Sequence, residues 1–449
     1  MTITSIGLII ITITIFLFVL LQFEKLFYLS IFFIPFTATG VFLINRVNRI
    51  TGISVFDYIV ILCLLGMIVN IKRKFAINRI VYRLIIVYML FLINLIISTL
   101  LMPLLINGNT EGYDQYGNLY PINLSLFNFT QLLYFLFSLI IIFVFLYYMD
   151  SESRLLKSIY IFIYSGVFVC IWGWYQLASN IIDNKYYINI FNNMNEGYKQ
   201  VIYKNIPRLV SVTLEPSNIS MIMIILICLV LFLRDDLISK KMKYIFLLIF
   251  FISTVLTFST TSILGLILII LYIIYKNLRY LQKIKINFNR IFYVILIFVI
   301  MVSILANYYN VFQLITTNKL STASGVERFN RMIYSLNLFL KYPIIGVGLG
   351  SNETYDGLSK LLSNSGIIGF LLFIYLIYLI NKNISNVRND KLRNVYTSLC
   401  VGNNIYFVVA LFSGLNFTSP FLWCVWGFLF SILNIDKRIS NLRHDSTID

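Results

Sequence analysis

The chain has 449 residues, of which 59% are hydrophobic, 16% aromatic and only 12% charged, with a mean hydropathy of +0.87. An average soluble domain carries roughly a quarter charged residues, so this composition excludes a soluble enzyme, a secreted disulfide scaffold and a disordered chain. The net charge of +17 is divided among short basic segments between apolar runs, which fits lipid headgroups and not nucleic acid.

A helix needs about 20 mostly apolar residues to cross the hydrocarbon core. Such runs lie near 4–22, 27–45, 54–71, 80–106, 126–148, 155–179 and 217–233, and then near 243–258, 261–275, 290–306, 362–380, 393–411 and 418–434. The first run lacks a basic leader and an A-x-A-like cleavage site, so it reads as a retained anchor. The expected fold is all-α, a single polytopic membrane domain over 1–449 with about 12–13 transmembrane helices. Thirteen crossings leave Arg46 and Arg49 on the less basic side, and twelve result if one early run does not cross.

The connections holding Lys72–Arg79, Arg154, Lys157, Arg234–Lys243, Lys276–Arg290, Lys382–Arg393 and Lys437–Arg443, with Lys25 and Arg83, contain 24 of the 35 basic residues. That bias places them, and the C-terminus, in the cytoplasm. The opposite face has two long loops, 180–216 and 307–361, and a shorter one at 107–123 whose Gly108, Gly112 and Gly117 mark polar turns. The five cysteines each lie in an apolar run without metal-site spacing and read as small hydrophobes. The single histidine, His444, sits in the charged tail, so neither a His-ligated metal nor a His-based relay is expected.

Candidate chemistry gathers in the long loops. The first ends in RLVSVTLEPSN, where Arg208 and Glu215 share a face if the stretch is helical and oppose each other if it is extended. Pro216 suits the first turn of the next span, which places Glu215 at the positive end of that helix. These two residues read either as a solvated interfacial pair or as an anion ligand and a base for an acceptor hydroxyl.

In the second loop, residues 325–341 form an amphipathic helix with Phe329, Met332, Ile333, Leu336, Phe339 and Leu340 on an apolar stripe. Arg328, Arg331 and Ser335 lie beside it, either snorkelling to headgroups or forming a paired clamp for phosphate. The following YPIIGVGLGSN has glycines at alternating positions, Gly346 and Gly348 among them, without the GK[ST] ending of a P-loop. Asp57 should face protein or water, and Asn94, Gln131, Gln176 and Asn337 read as interhelical hydrogen-bond formers.

This order of features, from RLVSVTLEPSN to YPIIGVGLGSN…LLSNSGIIGFLLF, with an early Asp-containing span (ISVFDYIVILCLL), resembles the O-antigen polymerase and ligase superfamily. The resemblance implies metal-independent, inverting glycosyl transfer without a cofactor, on the periplasmic face of a bacterial inner membrane. Donor and acceptor would be oligosaccharides on undecaprenyl pyrophosphate. Arg208, Arg328 and Arg331 would hold the pyrophosphate, supported by Gly346, Gly348 and Tyr355. The ligase branch carries a His-Asn pair where this chain has Tyr355-Asp356, which favours a polymerase with Glu215 as base and Asp356 as second candidate. A ligase, or a flippase of lipid-linked oligosaccharide, is the alternative; a chain-length regulator is a further expected partner.

Overall fold

The computed structural model describes residues 2–46, 49–70, 76–114, 117–182, 190–194, 202–203, 206–281, 323–414 and 419–445. Thirteen α-helices occur among them: α1 (Ser5–Val19), α2 (Phe23–Phe32), α3 (Val55–Val69), α4 (Arg79–Ile106), α5 (Leu126–Tyr148), α6 (Glu152–Ile181) and α7 (Pro216–Phe232), then α8 (Lys240–Leu256), α9 (Thr260–Leu281), α10 (Ala323–Lys341), α11 (Gly357–Lys382), α12 (Asp390–Ser413) and α13 (Pro420–Asp445). Six of these, α4, α5, α6, α9, α11 and α12, are long and apolar enough to cross a membrane, and α1, α3 and α7 are shorter apolar helices. The protein is a polytopic helical membrane protein. The expected span at 290–306 lies outside the described residues.

Several helices begin at a polar residue whose side chain accepts a first-turn N–H: Thr4, Ser54, Asn78, Ser151 and Ser239. Each satisfies a donor that has no intrahelical partner. Asp57 completes such a cap, accepting from the Ser54 hydroxyl at 2.7 Å.

The run at 27–45 does not form one helix. The α2 helix stops at Phe32, and β2 (Gly40–Arg46) follows, pairing antiparallel with β3 (Arg49–Ser54) and on its other edge with β1 (Thr2–Ile3). Pro35 removes a backbone donor and disfavours helix at Ile34. Beyond it, Gly40 and the β-branched Val41 and Ile44 suit a strand. The 107–123 loop is likewise ordered, as a hairpin of β4 (Glu111–Tyr113) and β5 (Leu119–Pro121).

Helix α7 runs through the centre, buried all around from Ile219 to Val230 and packed on α8, α9 and α12. A helix apolar on every side belongs in such a position. The α13 helix packs on α5, where Trp423 and Trp426 are fully buried against Tyr88, Phe135 and Phe373. All five cysteines are free and buried.

Helix α11 is interrupted. Gly366 has φ 64° and ψ −171°, a conformation open mainly to glycine. The break releases backbone groups that the connection after α10 captures. Val347 N–H donates to Ser363 O at 2.8 Å and Gly348 N–H to Asn364 O at 3.0 Å, while Ile367 and Ile368 donate to Pro343 O and Ile344 O at 2.8 and 3.2 Å. Gly346 and Gly348, both at positive φ, permit this backbone-on-backbone contact; a Cβ on Gly346 would lie 2.5 Å from Ser363 O.

Replacing Gly366 by alanine should therefore lower stability. The left-handed backbone alone costs on the order of 1–2 kcal/mol, and the new Cβ would overlap the Ile344 carbonyl. Thermal unfolding in detergent should show a clear fall in midpoint, and an unchanged midpoint for Gly366→Ala would contradict the interlock.

Candidate active site

Helix α10 begins and ends within two residues of the span expected from its periodicity. The face it turns to the protein holds Arg331, Ser335 and Leu338, which are buried, whereas Val326, Phe329, Ile333 and Leu340 are exposed. The two arginines are consequently unlike. The Arg331 side chain is 2% exposed and pairs with Glu327; its guanidinium carbon lies 4.5 Å from the Tyr355 ring centre and 5.3 Å from that of Tyr113. Arg328 is exposed, with its guanidinium 5.0 Å from the Tyr355 ring. Tyr355 thus has both guanidiniums against it, an arrangement favoured by the ring quadrupole.

The hairpin confines this group from the other side. Gly117, at φ +96°, sits directly on the Arg331 guanidinium and the Glu327 carboxylate, where a side chain would collide with both. Tyr120 donates to Gly350 O at 2.8 Å. Burial, with the Glu353 and Asp114 carboxylates adding to it, pushes the Tyr120 phenol up to about 12, so it remains a donor.

Below the arginines lies a buried amide and hydroxyl network. Asn352 donates to Ser335 Oγ at 2.8 Å and Ser363 Oγ at 3.2 Å and accepts from Tyr113 N–H at 3.1 Å. Asn364 donates to Asn352 O at 3.0 Å. Asn128 on α5 donates to Leu349 O and Ser351 Oγ, and α4 contributes Asn94 to Ser365 O and Ser98 to Asn364 O. In a medium without water such groups must find protein partners. Asn94 is thus an interhelical bond former as expected. Gln176 also bonds across segments, to Asn192 and Ser211 O, while Asn337 faces outward, exposed.

Asp356 is the N-cap of α11. It accepts from Ser359 N–H at 2.7 Å, Ser359 Oγ at 2.6 Å and Thr354 Oγ1 at 2.8 Å. Those bonds occupy the carboxylate with a structural task.

Glu215 is exposed at the N-cap position of α7, Pro216 takes the first turn, and Ser217 Oγ donates to the carboxylate at 3.1 Å. The stretch before it is not helical. Leu209, Val210, Ser211, Val212 and Thr213 are buried, Ser211 at φ 56°, and Ala38 N–H reaches Val212 O at 3.0 Å. Arg208 donates from Nε to Thr257 O at 3.0 Å, and Thr257 Oγ1 accepts from Ser220, one turn into α7. Arg208 and Glu215 accordingly share the start of α7.

The two groups of residues occupy one end of the bundle. Helices α7 and α12 are antiparallel neighbours: Asn394 bonds Phe232 O, and Gly402 abuts Ile225 and Cys228. From that contact both run about twelve residues, roughly 18 Å, to Glu215 on one and Gly414 on the other. Gly414 in turn packs against the Tyr355 carbonyl. Glu215 and Tyr355 therefore lie at the same end of the bundle. The opposite end carries the basic connections, with Arg154 bridging Glu24 at 2.9 Å and Asp436 accepting from Arg388 and Asn389 N–H.

Asn352, Asn128, Tyr113 and Glu327 escape the sequence reading, and Gly117 is legible there only as a turn. Single polar residues at helix starts, strand ends and turns carry no periodicity, and only the SNSG run, visible in the sequence, signals the network.

A bundle of apolar helices with a buried amide network and an arginine–tyrosine stack at one end defines a membrane protein whose polar site opens at one face. Residues 245–362, from α8 into α11, match the family model described as O-antigen ligase. This match supports the O-antigen ligase and polymerase superfamily and does not separate the two branches. No curated protein matches it. The matched segment includes Arg328, Arg331, Gly346, Gly348, Tyr355 and Asp356; Arg208 and Glu215 precede it.

Asp356→Asn provides a direct test of role. Asparagine caps helices as well as aspartate, so stability and activity should both persist. Loss of activity at unchanged melting temperature would make Asp356 a base instead of a cap.

Proposed function

We propose that the protein is a polymerase of lipid-linked polysaccharide repeat units. It would transfer a growing glycan from undecaprenyl pyrophosphate to a lipid-linked acceptor unit on the periplasmic face of a bacterial inner membrane. An acceptor hydroxyl attacks the anomeric carbon, the bond from that carbon to pyrophosphate breaks with inversion, and the Glu215 carboxylate takes the hydroxyl proton. Arg328, with Arg331 and Arg208, compensates the charge that develops on the departing diphosphate, so preorganised cations do the electrostatic work. Holding two lipid-linked substrates side by side supplies a further share of the rate.

The observation that carries this reading is the stack of Arg328 and Arg331 on Tyr355, at the end of the bundle where α7 begins with Glu215. The exposed apolar edge of α10 beside Arg328 fits a lipid boundary, with membrane lipids as neighbours. Undecaprenyl-linked donor and acceptor are the proposed partners, with a chain-length regulator as a further one and no nucleic acid. The basic end of the bundle, including the C-terminus, then faces the cytoplasm. The description of the matched family favours a second reading, an O-antigen ligase. Tyr355-Asp356 in place of that branch's His-Asn pair argues for the polymerase.

Purified protein supplied only with lipid-linked repeat units should yield a ladder of dimers and longer products. Arg328→Ala should collapse the ladder, and Glu215→Gln should bind donor yet stop transfer. A requirement for a different acceptor would establish the ligase, and a full-length ladder from both variants would remove both assigned roles.

A further inference from the structure

Arg331 is held in an unusual way for a buried cation. Its side chain is 2% exposed, yet its one ion-pair partner among the described residues is Glu327, whose side chain is 48% exposed. The Arg331 Nε–H is buried and has no hydrogen-bond partner among the described residues. A guanidinium offers five donors in a fixed fork, and an orphaned donor in a buried position is costly. Tyr113, Tyr355 and Gly117 fix its position, while Glu327 sits one helical turn away with its side chain half exposed. The carboxylate is thus the solvent-facing member of a partly buried pair, a position from which another anion can replace it.

We propose that Glu327 is a stand-in anion, occupying Arg331 when the site is empty and giving way to the diphosphate of the substrate. After transfer it returns to the guanidinium and helps expel the pyrophosphate-bearing product. The diphosphate presents more acceptor oxygens than a carboxylate, so it can replace Glu327 at Arg331 and also engage the exposed Arg328, whose guanidinium lies against the same Tyr355 ring. Glu327 is then a positioning residue that sets affinity and product release without touching the reacting carbon. This rests on the diphosphate-transfer reading above.

The test is calorimetric binding of inorganic pyrophosphate to the full chain in nanodiscs of zwitterionic lipid, at fixed ionic strength, for wild type, Glu327→Gln and Glu327→Ala. Both variants should bind about tenfold more tightly, a shift that loss of a competing partly buried ion pair can produce. In turnover with lipid-linked substrate both should show lower KM together with lower kcat, because release slows. Melting temperature identifies any variant that fails to fold, and the second variant then decides. Wild-type binding with unchanged or weaker binding in a folded variant overturns the stand-in role and leaves the transfer reading intact. Absence of pyrophosphate binding in the wild type and in both folded variants defeats the diphosphate reading itself, and this inference with it. Tighter binding of the variants to anionic phospholipid nanodiscs, with no gain for pyrophosphate, would assign the place to a lipid headgroup and overturn the proposal.

Discussion

Every backbone amide and carbonyl within the hydrocarbon region needs a partner that water cannot supply. The break of α11 at Gly366 leaves two carbonyls and two N–H groups without helical partners, and the backbone of residues 343–348 meets all four. This one exchange ties the end of α10 to α11. It thereby sets where Arg328 and Arg331 stand and where the chain returns through Tyr355. The asparagine and serine network extends the same logic to side chains, bracing the connection against α4 and α5.

On that rigid base the electrostatics become specific. A buried guanidinium whose partner is removed destabilises a protein far more than a surface ion pair stabilises one. Arg331 is therefore enclosed by two aromatic faces and a carboxylate, whereas Arg328, three residues earlier, stays in solvent against the outer ring. The same helix thus offers one immobilised cation and one accessible one. Such a pair suits an anionic leaving group, since the fixed charge needs no reorganisation when the bond breaks.

Much of this was legible in the sequence where the signal is local. The periodicity of residues 325–341 located α10, Pro216 located the start of α7, and the glycines of YPIIGVGLGSN pointed to close backbone packing. The run at 27–45 misled because hydropathy alone does not distinguish a spanning helix from a short helix followed by apolar strands; Pro35 and Gly40 were the local markers of the difference. The paired clamp was read from spacing, and spacing is blind to which arginine a neighbouring hairpin will cover. Tyr113 and Gly117 lie more than two hundred residues from Arg331 in sequence, so no pattern along the chain could join them to it.

The sequence by itself determined a bilayer-spanning helical protein, the direction of its charge asymmetry and the boundaries of most helices. These follow from composition and short-range periodicity, which the solvent selects residue by residue. Only the tertiary structure decided that Asp356 caps a helix, that Arg331 is buried beside Glu327 while Arg328 is exposed, and that Glu215 and Tyr355 share one end of the bundle. Those outcomes depend on which distant segments satisfy one another's polar groups, a choice made by packing in three dimensions and not by any neighbour in the chain.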